Sequence, residues 1–291
     1  MAHVVTHPQA PFQTADGRLE IHQIPAAHDN LIWLVVCVET GECAVVDGPA
    51  AGEVLSYCQD RGMEISTIIN THTHPDHVGV NRDLARRGLL DGMRVIGAQR
   101  TAAAIPGLTE GVGDGDTFRF GASEGRVLLT EGHINGHISI VFDDVLFCGD
   151  TLFTGGCGYL FDGPPATMYR SLERLAALDG ATRVCCAHEY TQDNLRFAWF
   201  VEPDNAALAQ RIREVWALRA RGECAVPGRI AEERATNPFL RTSSATLRAQ
   251  VAAAMPGSLL TNPEDVFTAT RALKDRKDHR RVGDDALPLG G

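Results

Sequence analysis

Residues 70–79 read NTHTHPDHVG and put His72, His74, Asp76 and His77 within six consecutive positions. All four side chains are donors that divalent metals accept. The residues ahead of them, TIINT at 67–71, form a short β-branched run with the character of a buried strand. In an extended segment, residues two apart share a side, so His72 and His74 can share one ion while Thr71 and Thr73 face the other way. Pro75 disfavours helical angles at His74 and makes the chain turn. Asp76 and His77 then fall at the start of a helical pattern over about 77–88, aimed differently from the first pair. Four donors split between two directions suit two ions better than one.

Working outward, apolar runs, many of them β-branched, recur at 31–38, 43–47, 127–130, 138–149 and 183–187. The run at 138–149 is divided by Asp143-Asp144, a hairpin-like turn. Helical patterns lie between the runs at 51–61 and 167–178, the latter with Met168, Leu172 and Leu175 at helical spacing. This mixture predicts an α/β sandwich with parallel and antiparallel strand pairs over residues 1–190. Beyond 190 the strong strand runs stop. Leu208, Ile212, Val215 and Trp216 repeat at helical spacing over 204–221, and Leu247, Val251 and Met255 do so over 244–255. A last helix opens at Asn262-Pro263-Glu264-Asp265, with a cap, a proline and first-turn acids. A separate helical domain over 191–291 is therefore expected, with a polar, glycine-ended tail that is mobile from about 279.

Composition narrows the function classes. The 291 residues carry 27 Lys and Arg against 37 Asp and Glu, a formal charge of -10 that argues against nucleic acid as a partner. There is no run of about 18 apolar residues, and the first residues lack a basic stretch followed by an apolar one, so no membrane partner and a cytoplasmic location are expected. The eight cysteines form no Cys-x-x-Cys pair and mostly sit in apolar runs such as LVVCV and VCCA. Reduced, packed thiols follow from that setting. The oligomeric state has no signature in the sequence.

Three further donors sit where apolar runs end and loops begin: His133 in LLTEGHINGHIS, Asp150 in LFCGDTLF and His188 in CCAHEYT. Scaffolds present their chemistry at such positions. With the first cluster they make seven candidate metal ligands. His137 reads as a supporting residue, Asn30 as structural, and Cys157 as part of a tight glycine-rich backbone rather than a nucleophile. His3, His7, His22, His28 and His279 have no partners in sequence.

His-x-His-x-Asp-His, a later Gly-His, an Asp after FCG and a final HEYT are similar to the metallo-β-lactamase fold superfamily. Within it, the chain resembles glyoxalase II, the hydroxyacylglutathione hydrolases. The similarity runs through IPAAHDNLIWLV, HTHPDH, GDTLFTGGCG, MYRSLERLAAL, HEYTQDNLRFAWFVEPDN and AEERATNPFLR to the last helix, nearly the whole chain. HTHPDH marks the superfamily, whereas the last two segments are specific to the glyoxalase II branch.

The resemblance implies an αββα sandwich of two mixed sheets closed by a C-terminal helical domain. It implies that His72, His74 and His133 hold one ion, that Asp76, His77 and His188 hold the second, and that Asp150 bridges them. Asp76 and Asp150 are expected to be catalytic, Asp76 because its place beside both ions would let it orient the water or take its proton. The cofactor would be two divalent ions, zinc first, with iron or manganese as alternatives. The implied activity is hydrolysis of S-D-lactoylglutathione to glutathione and D-lactate, a step of methylglyoxal detoxification. Its partner is then a small glutathione thioester, contacted by Tyr159, Phe161, Tyr190, Lys274 and Lys277.

Two lysines three apart share a face of a helix, so Lys274 and Lys277 are expected on one face of the last helix. They align with the Arg-x-x-Lys-Asp motif that binds the glycine carboxylate of glutathione in the family. Lys274 departs from it, because lysine cannot reproduce the guanidinium fork. Tyr159 stands where the family usually has Lys or Arg, and Phe161 where it often has Tyr, while Tyr190 matches. Altered thiol selectivity follows. Four rivals are a hydrolase of another acyl thiol, a persulfide dioxygenase with one iron and fewer ligands, a phosphodiesterase or nuclease of the same superfamily, against which the acidic chain counts, and a non-catalytic protein that binds glutathione conjugates.

Overall fold

The structure, a computed structural model, describes residues 2–290. Strands β1 (Phe12–Gln13), β2 (Leu19–Ala26), β3 (Asn30–Cys37), β4 (Cys43–Val46), β5 (Ile65–Ile69), β6 (Arg94–Ala98) and β7 (Glu110–Val112) pair in chain order into one sheet. Its first half is antiparallel, and from β4 onward it is parallel. The second sheet runs β15–β14–β11–β10–β9–β8, from β8 (Thr117–Phe120), β9 (Ser123–Leu129), β10 (Ile138–Phe142), β11 (Val145–Gly149), β14 (Arg183–Cys186) and β15 (Gly228–Arg229). A small hairpin, β12 (Leu152–Phe153) and β13 (Gly156–Cys157), follows β11.

Period-two burial explains why these strands read as unbroken apolar runs. In β3, Leu31, Trp33 and Val35 enter the core between the sheets, while Ile32 and Leu34 enter a second core. That second core is capped by α1 (Gly52–Gln59) and α2 (Gly79–Arg86) through Val54, Cys58, Val80 and Leu84. The inner core joins Val46 and Ile69 of the first sheet to Phe120, Val127 and Phe147 of the second. Met168, Leu172 and Leu175 of α3 (Pro165–Ala176) extend it. The resulting layers are helix, sheet, sheet, helix. The expected hairpin is present, with Phe142 opposite Val145 and Asp143 at φ 48°.

Helices α4 (Thr191–Val201), α5 (Ala206–Ala220), α6 (Ile230–Thr236), α7 (Ala245–Ala254) and α8 (Pro263–Asp275) follow the last long strand. Asn262 caps α8, its side chain accepting from the Asp265 amide. One strand does lie in this region: β15 pairs antiparallel with β14. The helices are tied to the sandwich by Glu233 of α6. This buried carboxylate accepts from the Gly155 amide at 2.8 Å and from Asn237 at 2.9 Å, and it pairs with buried Arg211.

Two expectations need correction. Helix α8 ends at Asp275, and Lys277 sits beyond it in a left-handed conformation (φ 59°), so it shares no helix face with Lys274. The tail lies along α4 and α5 instead of standing free. His279 is buried against Phe197, Arg196 pairs with Asp284, and the indole nitrogens of Trp199 and Trp216 donate to Ala286 O and Asp284. Composition showed the polarity of this segment but not its partners. The eight cysteines are buried and unpaired, and among the described residues no helix is long and apolar enough to cross a membrane.

Candidate metal centre

The donors come from strand ends that open on one rim of the sandwich. His72 and His74 follow β5, His133 follows β9, Asp150 follows β11 and His188 follows β14. Asp76 and His77 lie in the turn before α2, which the His77 amide closes onto His74 O at 3.0 Å. The Leu31 amide donates to Ala187 O at 2.7 Å and the Glu189 amide to Asp29 O at 3.0 Å, which stitches the two sheets together beside the site. All seven predicted ligand residues meet here.

Hydrogen bonds on the outer side of four of the five rings, those of His72, His77, His133 and His188, decide which nitrogen faces inward. His133 Nδ1 lies 2.7 Å from Tyr159 O, a carbonyl that can only accept, so the ring donates there and Nε2 keeps its lone pair. His77 Nδ1 donates to Asp47 Oδ2 at 2.9 Å, and His188 Nδ1 to Asp29 Oδ1 at 2.9 Å. Thr71 gives its hydroxyl proton to Asp47 at 2.6 Å and accepts from His72 Nδ1 at 3.0 Å. The inward nitrogens then confront one another. His72 Nε2 is 3.1 Å and His133 Nε2 2.9 Å from His74 Nδ1, so three ring nitrogens converge on the space a cation would take.

Asp150 faces both halves of the cluster. Its Oδ2 is 3.4 Å from His133 Nε2, while its Oδ1 is 3.5 Å from both His77 Nε2 and His188 Nε2. Asp76 Oδ2 completes the second half at 3.4 Å from His188 Nε2 and 3.7 Å from His77 Nε2. Among the described residues, His77 Nε2 and Asp150 Oδ1 are buried without a hydrogen-bond partner. Orphaned buried polar atoms of this kind call for an ion or water. The donor atoms of His72, His74, His133 and Asp150 lie within 4.8 Å of one another, as do those of Asp76, His77 and His188. Asp47, His72 and His77 also cluster, but Asp47 is occupied by the Thr71 hydroxyl, the Thr71 amide and the His77 ring, so it supports the donors rather than adding one.

The electrostatics agree with a site built for cations. Burial opposes ionisation of Asp150, yet His188 and His77 outweigh it and hold the carboxyl far below the usual range. Burial likewise lowers the basicity of His188, but Asp150, Asp29 and Asp76 reverse this and push it up to about 9. His77 is raised well above its ordinary value against the same burial, by Asp150 and Asp47. Protons on these two rings stand where metal charge would stand, and metal binding would release them. His72 is driven the other way by burial and by the neighbouring rings of His77, His137, His133 and His74, so it stays neutral.

Backbone shape matters at two glycines. A side chain on Gly158 would meet Asp150 O at 1.9 Å, and one on Gly149 (φ 45°) would meet the Thr71 hydroxyl at 2.4 Å. His137 stacks on His72 with ring centres 4.7 Å apart, and its Nε2 accepts from the Asp150 amide at 3.1 Å. Asn30, read from sequence as structural, instead donates to Asp76 Oδ2 at 3.1 Å. Asp47 and Asp29 escaped the sequence reading altogether. Asp47 (φ 56°) follows β4 in an otherwise ordinary VVDG, and only the fold brings it to His77.

The cluster opens into a cavity of about 500 Å³ walled by Phe153, Tyr159, Phe161 and Tyr190. Tyr190 stacks on His188, with centres 4.8 Å apart and planes 6° from parallel. Tyr159 and Phe161 also wall a second, outer cavity of about 540 Å³, which Lys274 and Lys277 line from the far side. Lys274 is buried and donates to Asn194 Oδ1 at 2.6 Å, and burial lowers its pKa to about 8 despite nearby Asp193. The substrate residues predicted from sequence thus surround two adjoining cavities.

Residues 29–188 match the family model of the metallo-beta-lactamase superfamily. The chain is also similar to the crystal structure of ETHE1 from Myxococcus xanthus, with a TM-score of 0.56 at 21% identity, covering 90% of this chain and 96% of that one. Fold and match together place it among the metallo-β-lactamase superfamily proteins. Residues 189–277 match the model of the hydroxyacylglutathione hydrolase C-terminus. Hydroxyacylglutathione hydrolase of Methylococcus capsulatus is 46% identical over 260 residues, 88% of this chain and 98% of that protein. The enzyme of the same name from Gloeobacter violaceus is 46% identical over 258 residues, 88% and 99% of the two chains. The chain belongs to the hydroxyacylglutathione hydrolase family.

Proposed function

We propose that the chain hydrolyses S-D-lactoylglutathione, or a related 2-hydroxyacylglutathione, to glutathione and the 2-hydroxy acid, and that it does so with two divalent ions. The observation that carries this is the set of inward-facing imidazole nitrogens grouped around the two oxygens of Asp150. His72, His74 and His133 would hold one ion, Asp76, His77 and His188 the other, and Asp150 would join them. Each ion would be held by three side chains and share Asp150, and five of the seven donors line the cavity of about 500 Å³, from which water can reach the ions, unlike a structural site closed off by the protein. The imidazole-rich set suits zinc, with iron and manganese as alternatives.

When bound, such a pair of ions supplies a water acidic enough to act as hydroxide at neutral pH and polarises an ester carbonyl. The chain's own groups do the rest. Asp76 is held by Asn30 through one oxygen, which leaves the other free to orient that water and take its proton. Tyr159, Phe161 and Tyr190 wall the cavity and would orient the acyl and thiol parts of the substrate. A thiolate with a pKa near about 8.5 departs without a strong general acid, so no such residue is needed beside the sulfur. Lys274 and Lys277 would take a carboxylate of the glutathione moiety in the outer cavity. Eight reduced cysteines and a glutathione substrate suit the cytoplasm, where the reaction would complete the disposal of methylglyoxal.

The test is metal analysis together with hydrolysis of S-D-lactoylglutathione beside a neutral thioester. About two ions per chain and preference for the glutathione ester are expected. Metal-loaded protein that leaves both esters intact would remove the proposal. Oxygen uptake with glutathione persulfide would replace it with the dioxygenase.

A further inference from the structure

The outer cavity contains a carboxylate that the two lysines do not explain. Asp193, in the first turn of α4, accepts both arms of Arg280, from Nε at 2.8 Å and from Nη2 at 3.1 Å. The same carboxylate lies 3.6 Å from Lys274 Nζ and 3.5 Å from His279 Nε2. Among the described residues, His279 is 2% exposed with neither ring nitrogen hydrogen-bonded, and the Nε of buried Arg271 has no partner. All of these groups line the outer cavity. Asp275 also lines the cavity, paired with Arg271 at 2.6 Å, so the wall holds four cationic side chains, Arg271, Lys274, Lys277 and Arg280, against two carboxylates, and where Arg280, Lys274 and His279 converge Asp193 is already in place.

We propose that Asp193 is a specificity-determining residue, an internal carboxylate that competes with the carboxylate end of the substrate for Arg280 and Lys274. This rests on the thioester proposal for the identity of the substrate, and it goes beyond the assignment of Lys274 and Lys277 as binding groups. A substrate carboxylate entering the cavity meets cations that are already paired, so it trades one ion pair for another and gains little. With the Asp193 charge removed, Arg280 and Lys274 face the cavity uncompensated. With Arg280 removed instead, Asp193 is left partly unmatched and repels an incoming anion. The two changes act in opposite directions, which a merely structural role for the pair would not produce.

The experiment compares metal-loaded wild type, Asp193→Asn and Arg280→Gln on S-D-lactoylglutathione and on the D-lactoyl ester of N-acetylcysteamine, which has no carboxylate in its thiol. Calorimetric binding of a non-hydrolysable S-alkylglutathione runs alongside. Asp193→Asn is expected to raise the kcat/KM ratio of the glutathione ester over the neutral ester about three- to tenfold, and to tighten S-alkylglutathione by a similar factor. Arg280→Gln is expected to lower both, and added salt to shrink both effects. A ratio that stays unchanged or falls in Asp193→Asn overturns the proposal. If that variant does not fold, Arg280→Gln decides alone, since Arg280 is exposed, and an unchanged ratio there overturns it equally. Wild type that cleaves neither ester fails the thioester proposal, while the binding arm still tests Asp193.

Discussion

The metal centre and the outer cavity share a wall, Tyr159 and Phe161, yet they are organised in opposite ways. In the centre, charge is fixed from outside. His77, His133 and His188 are pinned by an acceptor behind the ring, and those acceptors (Asp47, Tyr159 O and Asp29) come from other strands and loops. In the outer cavity the cations come from α8, the turn after it and the tail, and they are balanced from inside by Asp193. The difference teaches that the donor cluster is preorganised by the sandwich, whereas the charge of the outer cavity is one that a few substitutions can rebalance.

The comparison breaks most directly at Asp150, the residue facing both halves of the cluster. Asp150→Ala should cost on the order of a thousandfold or more in kcat on both the glutathione ester and the neutral ester, with less than two equivalents of metal retained. Metal analysis and initial rates check this, and a variant that keeps both metal and rate would show that the cluster is not the reaction centre. Asp47→Ala removes the acceptor behind His77 without touching the candidate ligands. A loss of about ten- to a hundredfold in metal affinity is expected, measured by competition with a chelator. Unchanged affinity would mean that the ring is held by packing alone.

Changes in the outer cavity should be smaller and confined to the glutathione ester. Lys274→Ala should lower its kcat/KM about tenfold and leave the neutral ester's nearly as it was, because only the former has a carboxylate to lose. Equal losses on both esters would place Lys274 among structural groups. The smallest effect is one of pH. Burial brings the Lys274 pKa down to about 8, below that of an ordinary lysine, so its positive charge is present below that pH and is lost as pH rises through it. KM for the glutathione ester should therefore climb about threefold between pH 7 and 9, with no matching rise for the neutral ester.

What the sequence revealed follows the same division. His72, His74, Asp76 and His77 are legible because a strand followed by a proline turn fixes where neighbouring side chains point. The buried strands at 31–37 and 183–186 are legible because both faces are covered and the runs become wholly apolar. Strand β2 was missed, since LEIHQIPA interrupts its apolar residues with Glu20, His22 and Gln23. His22 and Gln23 are buried there by partners distant in sequence, Tyr57 OH for the first and Val226 O for the second. Asp29 and Asp47 were unreadable for the same reason. Lys277 was misplaced because spacing cannot show that α8 ends two residues earlier, and the tail because its ion pairs to α4 and hydrogen bonds to α5 appear only once the helices pack.

One short element carries a consequence of its own. Gly228 and Arg229 hydrogen-bond along β14 and finish the second sheet, so the helical region does more than shape a cavity. A chain cut after residue 190 would expose the backbone of Val184 and its apolar neighbours as a raw sheet margin, open to the same strand of another molecule. Fragments that keep every histidine of the cluster are therefore expected to stack into aggregates through the margin that β15 covers in the whole chain.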